Sequence, residues 1–172
     1  ESTQDGLDPD PETATSNTVT TNIKLTGVVD DPQFTPDQDG AWTWNGDVDN
    51  SVLTGTLDED SLLSLSFMLG SSDDDGSERS DLVIGNLNPN VDLVDVNGDP
   101  IALQVVGENG DGLIYQVSAS QLANIYLRPQ ADFSGAEPAF TIRQVISEPD
   151  GDSESFSHEV MLDNLPVVDT QD

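Results

Sequence analysis

Apolar and polar residues alternate along most of this chain, in short runs that turn residues separate. The first run lies between Val19 and Val29 and stops at Asp30-Asp31-Pro32, which predicts a half-buried strand. We expect that strand to pair into the domain, because an unpaired apolar edge promotes aggregation. The later strand candidates are Val52–Leu57, Leu62–Leu69, Leu82–Leu87, Val91–Val96, Ile101–Val106, Leu113–Val117, Ile125–Leu127, Phe140–Ile146 and Phe156–Leu162.

Many short strands with almost no helical period indicate an all-β fold, and in particular an antiparallel β-sandwich. Turn signals such as Asn97-Gly98-Asp99-Pro100 separate nearly all of the strands. Ser118–Ala123 is the one candidate for a helical turn. We divide the chain into residues 1–33, an arm with an added strand, and residues 34–172, one sandwich module that ends in a linker.

Charge narrows the range of functions. The 172 residues include 34 Asp or Glu and only four Lys or Arg, for a net charge of −30. A compact chain with that much self-repulsion needs bound cations or high ionic strength, and it lacks the basic clusters that bind nucleic acid or an anionic membrane surface. There is no cysteine, and the longest apolar run, Ser61–Leu69, is too short to span a bilayer. The start at Glu1 lacks the pattern of a signal peptide, so we expect an internal piece of a longer protein.

The order of acidic turns gives a family resemblance over residues 57–166. Its most specific part is Pro129-Gln130-Ala131-Asp132-Phe133-Ser134-Gly135, and the chain closes on Val160-Met161-Leu162-Asp163-Asn164-Leu165-Pro166. These runs resemble the cadherin-like, immunoglobulin-like modules of giant bacterial RTX adhesins, in which such a closing strand continues into an inter-module calcium linker. Residues 18–32, with the run from Ile23 to Pro32, resemble the same closing strand and linker. They are therefore either the last strand of a preceding module or the first part of a split domain.

The acidic loops are candidate calcium sites, because Ca²⁺ takes six to eight oxygen ligands from carboxylates, backbone carbonyls and water. The resemblance implies that three loops meet at one pole of the sandwich and bind at least one Ca²⁺, and that two linkers hold further Ca²⁺. The alternative is that these are solvated turn residues. The loop candidates are Asp58, Glu59, Asp60, Asp73, Asp75, Glu78, Asp150 and Asp152, and the linker candidates are Asp30, Asp31, Asp163 and Asn164.

Other chemistry has weaker support. The only histidine, His158, alternates in phase with Phe156 and Val160, so a packed strand residue is favoured over a catalytic base. No Gly-x-Ser-x-Gly elbow accompanies it, and no acidic run matches an EF-hand loop. Trp42 and Trp44 either stack on a ligand or anchor the N-terminal segment, and we favour the anchor. We expect Arg128 and Arg143 to pair with carboxylates.

We therefore expect a non-enzymatic, calcium-stabilised module on the outer surface of a bacterium, which extends and positions a ligand-binding region for cell adhesion or biofilm formation. Its partners would be neighbouring modules of the same adhesin, as a monomer, and a host or biofilm surface ligand, without nucleic acid or membrane insertion. The alternative is a calcium-dependent sugar- or peptide-binding module. An enzyme would need a cleft with convergent polar groups that the sequence does not show.

Overall fold

The computed structural model describes residues 16–23, 27–37, 39–73, 75–110, 112–131 and 133–166. These residues form short strands and one helical turn, and none of their helices is long and apolar enough to cross a membrane. In chain order the elements are β1 Pro32–Thr35, β2 Trp42–Trp44, β3 Ser51–Asp58, β4 Leu63–Ser64, β5 Met68–Ser71, β6 Arg79–Gly85, β7 Val91–Val94, β8 Gln104–Asn109, β9 Gly112–Val117, α1 Ala119–Leu122, β10 Tyr126–Pro129, β11 Gly135–Ser147 and β12 Ser153–Leu165.

The largest sheet has seven strands in the order β2-β3-β12-β11-β6-β9-β8. Its longest pair is the antiparallel β11–β12 hairpin, which runs from Ser147 opposite Ser153 to Gly135 opposite Asn164. The other pairings are antiparallel as well, with the exception of β3, which lies parallel to β12. His158 and Val160 of β12 are buried while Glu159 between them is exposed. One face of the sheet is therefore covered, as a period of two requires.

Two smaller sheets, β1–β5 and β4–β10–β7, cover that face. The Trp42 indole N–H of β2 donates to the backbone oxygen of Ser64 in β4 at 2.9 Å, and the Gln144 amide of β11 donates to the backbone oxygen of Gly70 in β5 at 2.9 Å. The two layers enclose one apolar core. The all-β prediction is confirmed, and the multi-stranded antiparallel sheets are consistent with the predicted sandwich.

An aromatic cluster closes one side of this core. Trp42 is 1% exposed and meets Phe67 edge-on with ring centroids 4.8 Å apart. Phe34 lies 5.7 Å from Phe67 and 6.1 Å from Trp44, so β1, β2 and the residue that precedes β5 share one contact region. The two tryptophans thus act as anchors of the N-terminal strands, as we favoured.

The predicted helical turn at Ser118–Ala123 is present, whereas one predicted strand is divided in two. Ser118 caps α1 with its hydroxyl on the Gln121 N–H, and the Gln121 side chain accepts from the Ser118 N–H, which is a capping box. The predicted strand Leu62–Leu69 is instead two short strands, β4 and β5. Between them the Leu65 N–H donates to the backbone oxygen of Ile125.

The predicted strand between Val19 and Val29 is wrong for the described residues. Residues 16–23 and 27–31 are not in a strand, and Val19, Ile23 and Val28 are 81%, 77% and 80% exposed. Near Val29 the backbone N–H groups of Gly27 and Asp30 donate to side-chain carboxylates rather than to a neighbouring strand. The first strand is Pro32–Thr35, which pairs with β5 and crosses the boundary that we placed after residue 33.

A shortened chain tests this correction. We expect a protein that begins at residue 24 to keep its free energy of unfolding within about 0.5 kcal/mol of the full chain, because the removed residues that the structure describes, 16–23, are exposed and lie outside any strand. Urea unfolding of both chains measures the difference. Leu53→Ala, at a site with no exposed surface, is the positive control and should cost about 2–5 kcal/mol. A loss of that size on truncation would contradict the structure.

Candidate functional site

The predicted acidic loops lie at two opposite ends of the large sheet. Strand β12 has 13 residues, a length of about 40 Å at the rise of an extended strand. The loop 148–152 precedes its first residue, whereas Asp58 pairs with its last residue, Leu165. We call the end that contains residues 148–152 the first pole and the end at Leu165 the second pole.

At the first pole, residues 73 and 75–78 are folded around the carboxylates of Asp73 and Asp75. The Asp73 carboxylate accepts from the Asp75 N–H at 2.9 Å and from the Glu78 N–H at 3.0 Å. The Asp75 carboxylate accepts from the Ser77 N–H at 2.9 Å. Turns of this kind typically contain an Asp whose side chain accepts a hydrogen bond from the backbone N–H two residues later. This bonding fixes where Glu78 leaves the turn.

The hairpin turn between β11 and β12 is built in a similar way and lies beside it. The Asp152 N–H donates to the Asp150 carboxylate at 3.1 Å, and the Glu148 N–H donates to the backbone oxygen of Asp152 at 2.8 Å. The Ser77 hydroxyl donates to the Glu148 carboxylate at 3.3 Å. This last bond joins the two turns, which are about seventy residues apart in the sequence.

Residues 27–31 lie across both turns. The Gly27 N–H donates to the second carboxylate oxygen of Asp150 at 2.8 Å, and the Asp30 N–H donates to Oε1 of Glu78 at 2.6 Å. A Cβ atom on Gly27 would stand 2.7 Å from Cδ of Glu148, so only glycine fits there without displacing that side chain. Asp30 and Asp31 therefore belong to the first pole, together with the loops 73–78 and 148–152.

The carboxylates of the first pole repel one another. Partial burial, followed by the charges of Glu78, Asp150 and Asp73, raises the pKa of Glu148. The backbone N–H groups of Glu78 and Asp75 lower the pKa of Asp73, which therefore holds its charge beside its neighbours. Within the described residues the two ion pairs are Arg79–Asp81 and Arg128–Asp92, and neither includes a carboxylate of this group. A cation is the component that would relieve the repulsion.

The residues at this pole have the right chemistry for a hard cation but are not arranged as a finished site. Oε2 of Glu78 is buried and has no hydrogen-bond partner, which is unfavourable for a carboxylate oxygen. In the described part of the chain, however, no three His, Cys, Asp or Glu side chains are placed so that together they could hold a metal ion. The candidate ligands would have to draw closer around the ion.

The second pole holds the remaining candidates. The Glu59 N–H donates to the backbone oxygen of Leu165 at 2.9 Å, which joins Asp58–Asp60 to the end of β12. Asn164 is 8% exposed, and its amide donates to the backbone oxygen of Phe133 at 3.0 Å while its Oδ1 has no partner. The expectation that all three loops meet at one pole is therefore wrong. The parallel pairing of β3 with β12 carries Asp58, Glu59, Asp60 and the Asp163-Asn164 linker to the other end.

His158 is the centre of a buried chain of hydrogen bonds. It is 1% exposed, with Nδ1 2.6 Å from the Ser51 hydroxyl and Nε2 2.8 Å from Oε1 of Gln144. An amide oxygen only accepts, so Nε2 carries the proton and Nδ1 accepts from Ser51. The Ser51 oxygen accepts in turn from the Trp44 indole at 2.9 Å, and the Gln144 amide donates to Ser80 at 2.9 Å. This arrangement defines a neutral imidazole.

The geometry does not support a catalytic triad. Ser51 is 2% exposed and Gln144 is fully buried, so a substrate has no access to the hydroxyl. No described carboxylate bonds the His158 ring, and both ring nitrogens already have partners. His158 is a packed strand residue in this structure.

The two arginines that we expected to pair with carboxylates behave differently. Arg128 donates to Asp92 at 3.2 Å and to the backbone oxygen of Gly98 at 2.9 Å. Arg143 donates to the Ser155 hydroxyl at 3.0 Å instead, and no described carboxylate forms an ion pair with it.

Sequence reasoning missed Glu148 and Gly27 at the first pole and Ser51 and Gln144 around His158. Glu148 was recoverable, because it stands two residues before Asp150 in the same acidic turn. The other three depend on contacts between residues 14 to 123 positions apart, and no local pattern marks them. Comparison with known proteins adds no family, since neither a protein-family model nor a curated protein sequence matches this chain.

The titration of His158 tests the buried network. Burial lowers the pKa of His158 to about 4 from an ordinary value of 6.5. Between these two pH values the unfolded chain binds the proton and the folded chain does not, so this group removes stability as the pH falls from 6.5 to 4, by about 3 kcal/mol in total. We expect the NMR signals of the single imidazole to titrate near pH 4. A midpoint near 6.5 in the folded protein would contradict the buried neutral ring.

Proposed function

We propose that this chain is a non-enzymatic module of an extracellular bacterial adhesin, of the cadherin-like, immunoglobulin-like class, that calcium stabilises and stiffens. In this role it extends and positions a ligand-binding region for cell adhesion or biofilm formation. The observation that carries the proposal is the convergence of acidic segments at the first pole. Two distant turns supply the carboxylates of this pole, which are Asp73, Glu78, Glu148 and Asp150. The backbone of residues 27–30 donates hydrogen bonds to two of them, Asp150 and Glu78.

Calcium is the cation whose chemistry fits these groups. Its coordination shell is large, flexible and made of oxygens, whereas Mg²⁺ requires a small octahedral shell. The ion at the first pole would be held by Glu78, Glu148, Asp150 and Asp73. Asp75 and Asp152 lie in the adjoining turns, and Asp30 and Asp31 lie in residues 27–31, which cross both turns and which we call the strap. The buried, unpartnered Oε2 of Glu78 supports this assignment. The bound ion would supply a positive charge that offsets the burial and the repulsion that together raise the pKa of Glu148.

The path of the chain supports a spacer in a row of modules. Residues 27–31 enter at the first pole, and β12 ends at Leu165 at the second pole, where Asp58, Glu59, Asp60 and Asp163 lie. A preceding and a following module would therefore attach at opposite ends of one stiff sheet. A second calcium site at the second pole would join Asn164, whose Oδ1 is buried without a partner, to the carboxylates of residues 58–60.

The partners in this proposal are neighbouring modules of the same adhesin, with the module itself monomeric and on the outer surface of the bacterium. The second candidate function, a calcium-dependent sugar- or peptide-binding module, differs in one respect. It would need a Ca²⁺ with coordination positions open to ligand hydroxyls or carboxylates. A spacer would enclose its ion, as the strap over the first pole favours.

Calcium titration of the melting temperature tests the proposal. For a site with a dissociation constant of about 10⁻⁴ to 10⁻³ M, a tenfold excess of Ca²⁺ adds about 1.4 kcal/mol of stability. We expect melting to fall when a chelator is added and to recover with Ca²⁺ more than with Mg²⁺. Identical melting curves in chelator and in millimolar calcium, at matched ionic strength, would overturn the proposal.

Replacing Asp150 and Asp152 by Asn should reduce that calcium-dependent recovery. The matched control replaces Asp95 and Asp99 by Asn, because Asp95 also accepts two backbone N–H bonds inside a turn, from Asn97 and Asp99, and both residues lie outside the group of carboxylates. Both variants remove acidic charge from a turn. Only the first should change the response to Ca²⁺, and an equal change in the control would assign the effect to net charge alone.

Gly27→Ala tests the strap over the first pole. The added Cβ would stand 2.7 Å from Cδ of Glu148, and this flexible side chain would have to move away. We expect the melting temperature in chelator to stay close to that of the parent chain while the stabilisation by Ca²⁺ decreases. The control is Gly70→Ala, where a Cβ would meet no atom within 4 Å. An unchanged calcium response in Gly27→Ala would show that Glu148 is not a ligand.

A further inference from the structure

A cleft of about 400 Å³ lies on the outer face of the large sheet, opposite the core and away from both poles. Val83 of β6, Ile114 of β9 and Val106 of β8 form its apolar floor, and Thr141 and Arg143 of β11 and Ser157 of β12 stand on one side of it. This volume falls within the range of small-molecule sites. The core and the hydrogen-bond network of His158 make no use of this face.

Two glycines shape the floor of the cleft. A Cβ on Gly85 would lie 3.9 Å from Cγ1 of Ile114, and one on Gly107 would lie 3.7 Å from its Cδ1. Without side chains at these positions, one face of Ile114 stays open between two strands. The register shift between Val105 and Gly107 in the β8–β9 pair turns Val106 toward the same cleft. Such a shift next to a cleft re-aims a side chain.

The polar side of the cleft can both donate and accept hydrogen bonds. Asn86 donates from its amide to the Thr141 hydroxyl at 3.4 Å and accepts from the Asn109 amide at 3.3 Å. Hydroxyl and amide groups with long, weak bonds of this kind can exchange them for bonds to a ligand. A ligand rich in hydroxyl groups matches this set.

Arg143 supplies the charge. The whole chain has four cationic side chains against 34 acids, yet Arg143 is the one described arginine without a carboxylate partner. Its guanidinium is exposed beside the cleft and donates to the Ser155 hydroxyl. Arginine binds a carboxylate through two parallel hydrogen bonds. One guanidinium in so acidic a protein suits a ligand with a single negative charge better than a phosphate.

We propose that this cleft binds an acidic monosaccharide of the uronic acid class. The carboxylate of the sugar would pair with Arg143, its apolar ring face would lie over Val83 and Ile114, and its hydroxyls would bond to Thr141, Ser157 and Asn86. The site contains none of the proposed calcium ligands. When every sugar titration is made in saturating calcium, a failure of the sugar proposal can therefore be distinguished from a failure of the calcium proposal.

The test is an NMR titration of the isotope-labelled chain with glucuronate, with glucose and acetate as separate controls. We expect saturable shifts at millimolar glucuronate in the amides of Val83, Ile114 and Thr141, and weak or no shifts with glucose or acetate at equal concentration. Arg143→Gln should weaken binding at least tenfold. Arg79→Gln, which removes the same charge from an exposed arginine paired with Asp81, should leave it unchanged.

Thr141→Val removes one hydroxyl at nearly constant shape, and it should weaken glucuronate binding while acetate shifts stay as they were. Equal shifts with acetate and glucuronate would show simple attraction to the guanidinium and would overturn the proposal. The proposal would also be overturned if Arg79→Gln weakened glucuronate binding as much as Arg143→Gln. Shifts of these amides that grow with protein concentration in the absence of sugar would assign the cleft to a second copy of the chain, and would also overturn it.

Discussion

The backbone ladder between β11 and β12 is the interaction on which the other elements depend. Each strand has 13 residues, and together they run the full length of the sheet, with β6 on one side and β3 on the other. Because β3 is parallel to β12, the two strands place their ends together and separate the acidic turns into two poles. The positions of the candidate ligands follow from this one pairing.

A buried polar network joins this ladder to its neighbours. His158 of β12, Gln144 of β11 and Ser51 of β3 bond one another in the core, and Gln144 continues to β5 and β6. Both ring nitrogens of His158 and both polar atoms of the Gln144 amide have partners, so these groups do not incur the full cost of burial. The same bonds require one register, because a shift by one residue would turn His158 to the outer face. Hydrophobic packing alone would tolerate more alternatives.

The sequence predicted the elements whose formation depends on residues close together in the chain. The strands β3, β7, β9 and β10, the capped turn α1 and the buried Trp42 follow from alternation, turn residues and capping residues. The run between Val19 and Val29 was predicted wrongly. Alternation shows that a segment could form one face of a strand, but it does not show that a neighbouring strand is there to pair with it. In the structure the backbone at Gly27 and Asp30 bonds carboxylates instead. Likewise no sequence pattern places Asp58 away from Asp150, since that requires knowing that β3 lies parallel to β12.

The distance between the poles bears on how cations could act on the module. About 40 Å of β12 separates them, whereas charges in physiological salt are screened over about 8 Å. Charge at one pole therefore has almost no direct effect on the affinity of the other, and each pole would bind its ion independently. What the β11–β12 hairpin does transmit is orientation, because a sheet whose strands and core are fixed cannot bend at one end alone. In the proposed row of modules, calcium would set each junction separately, and the sheet would keep successive junctions in a constant relation.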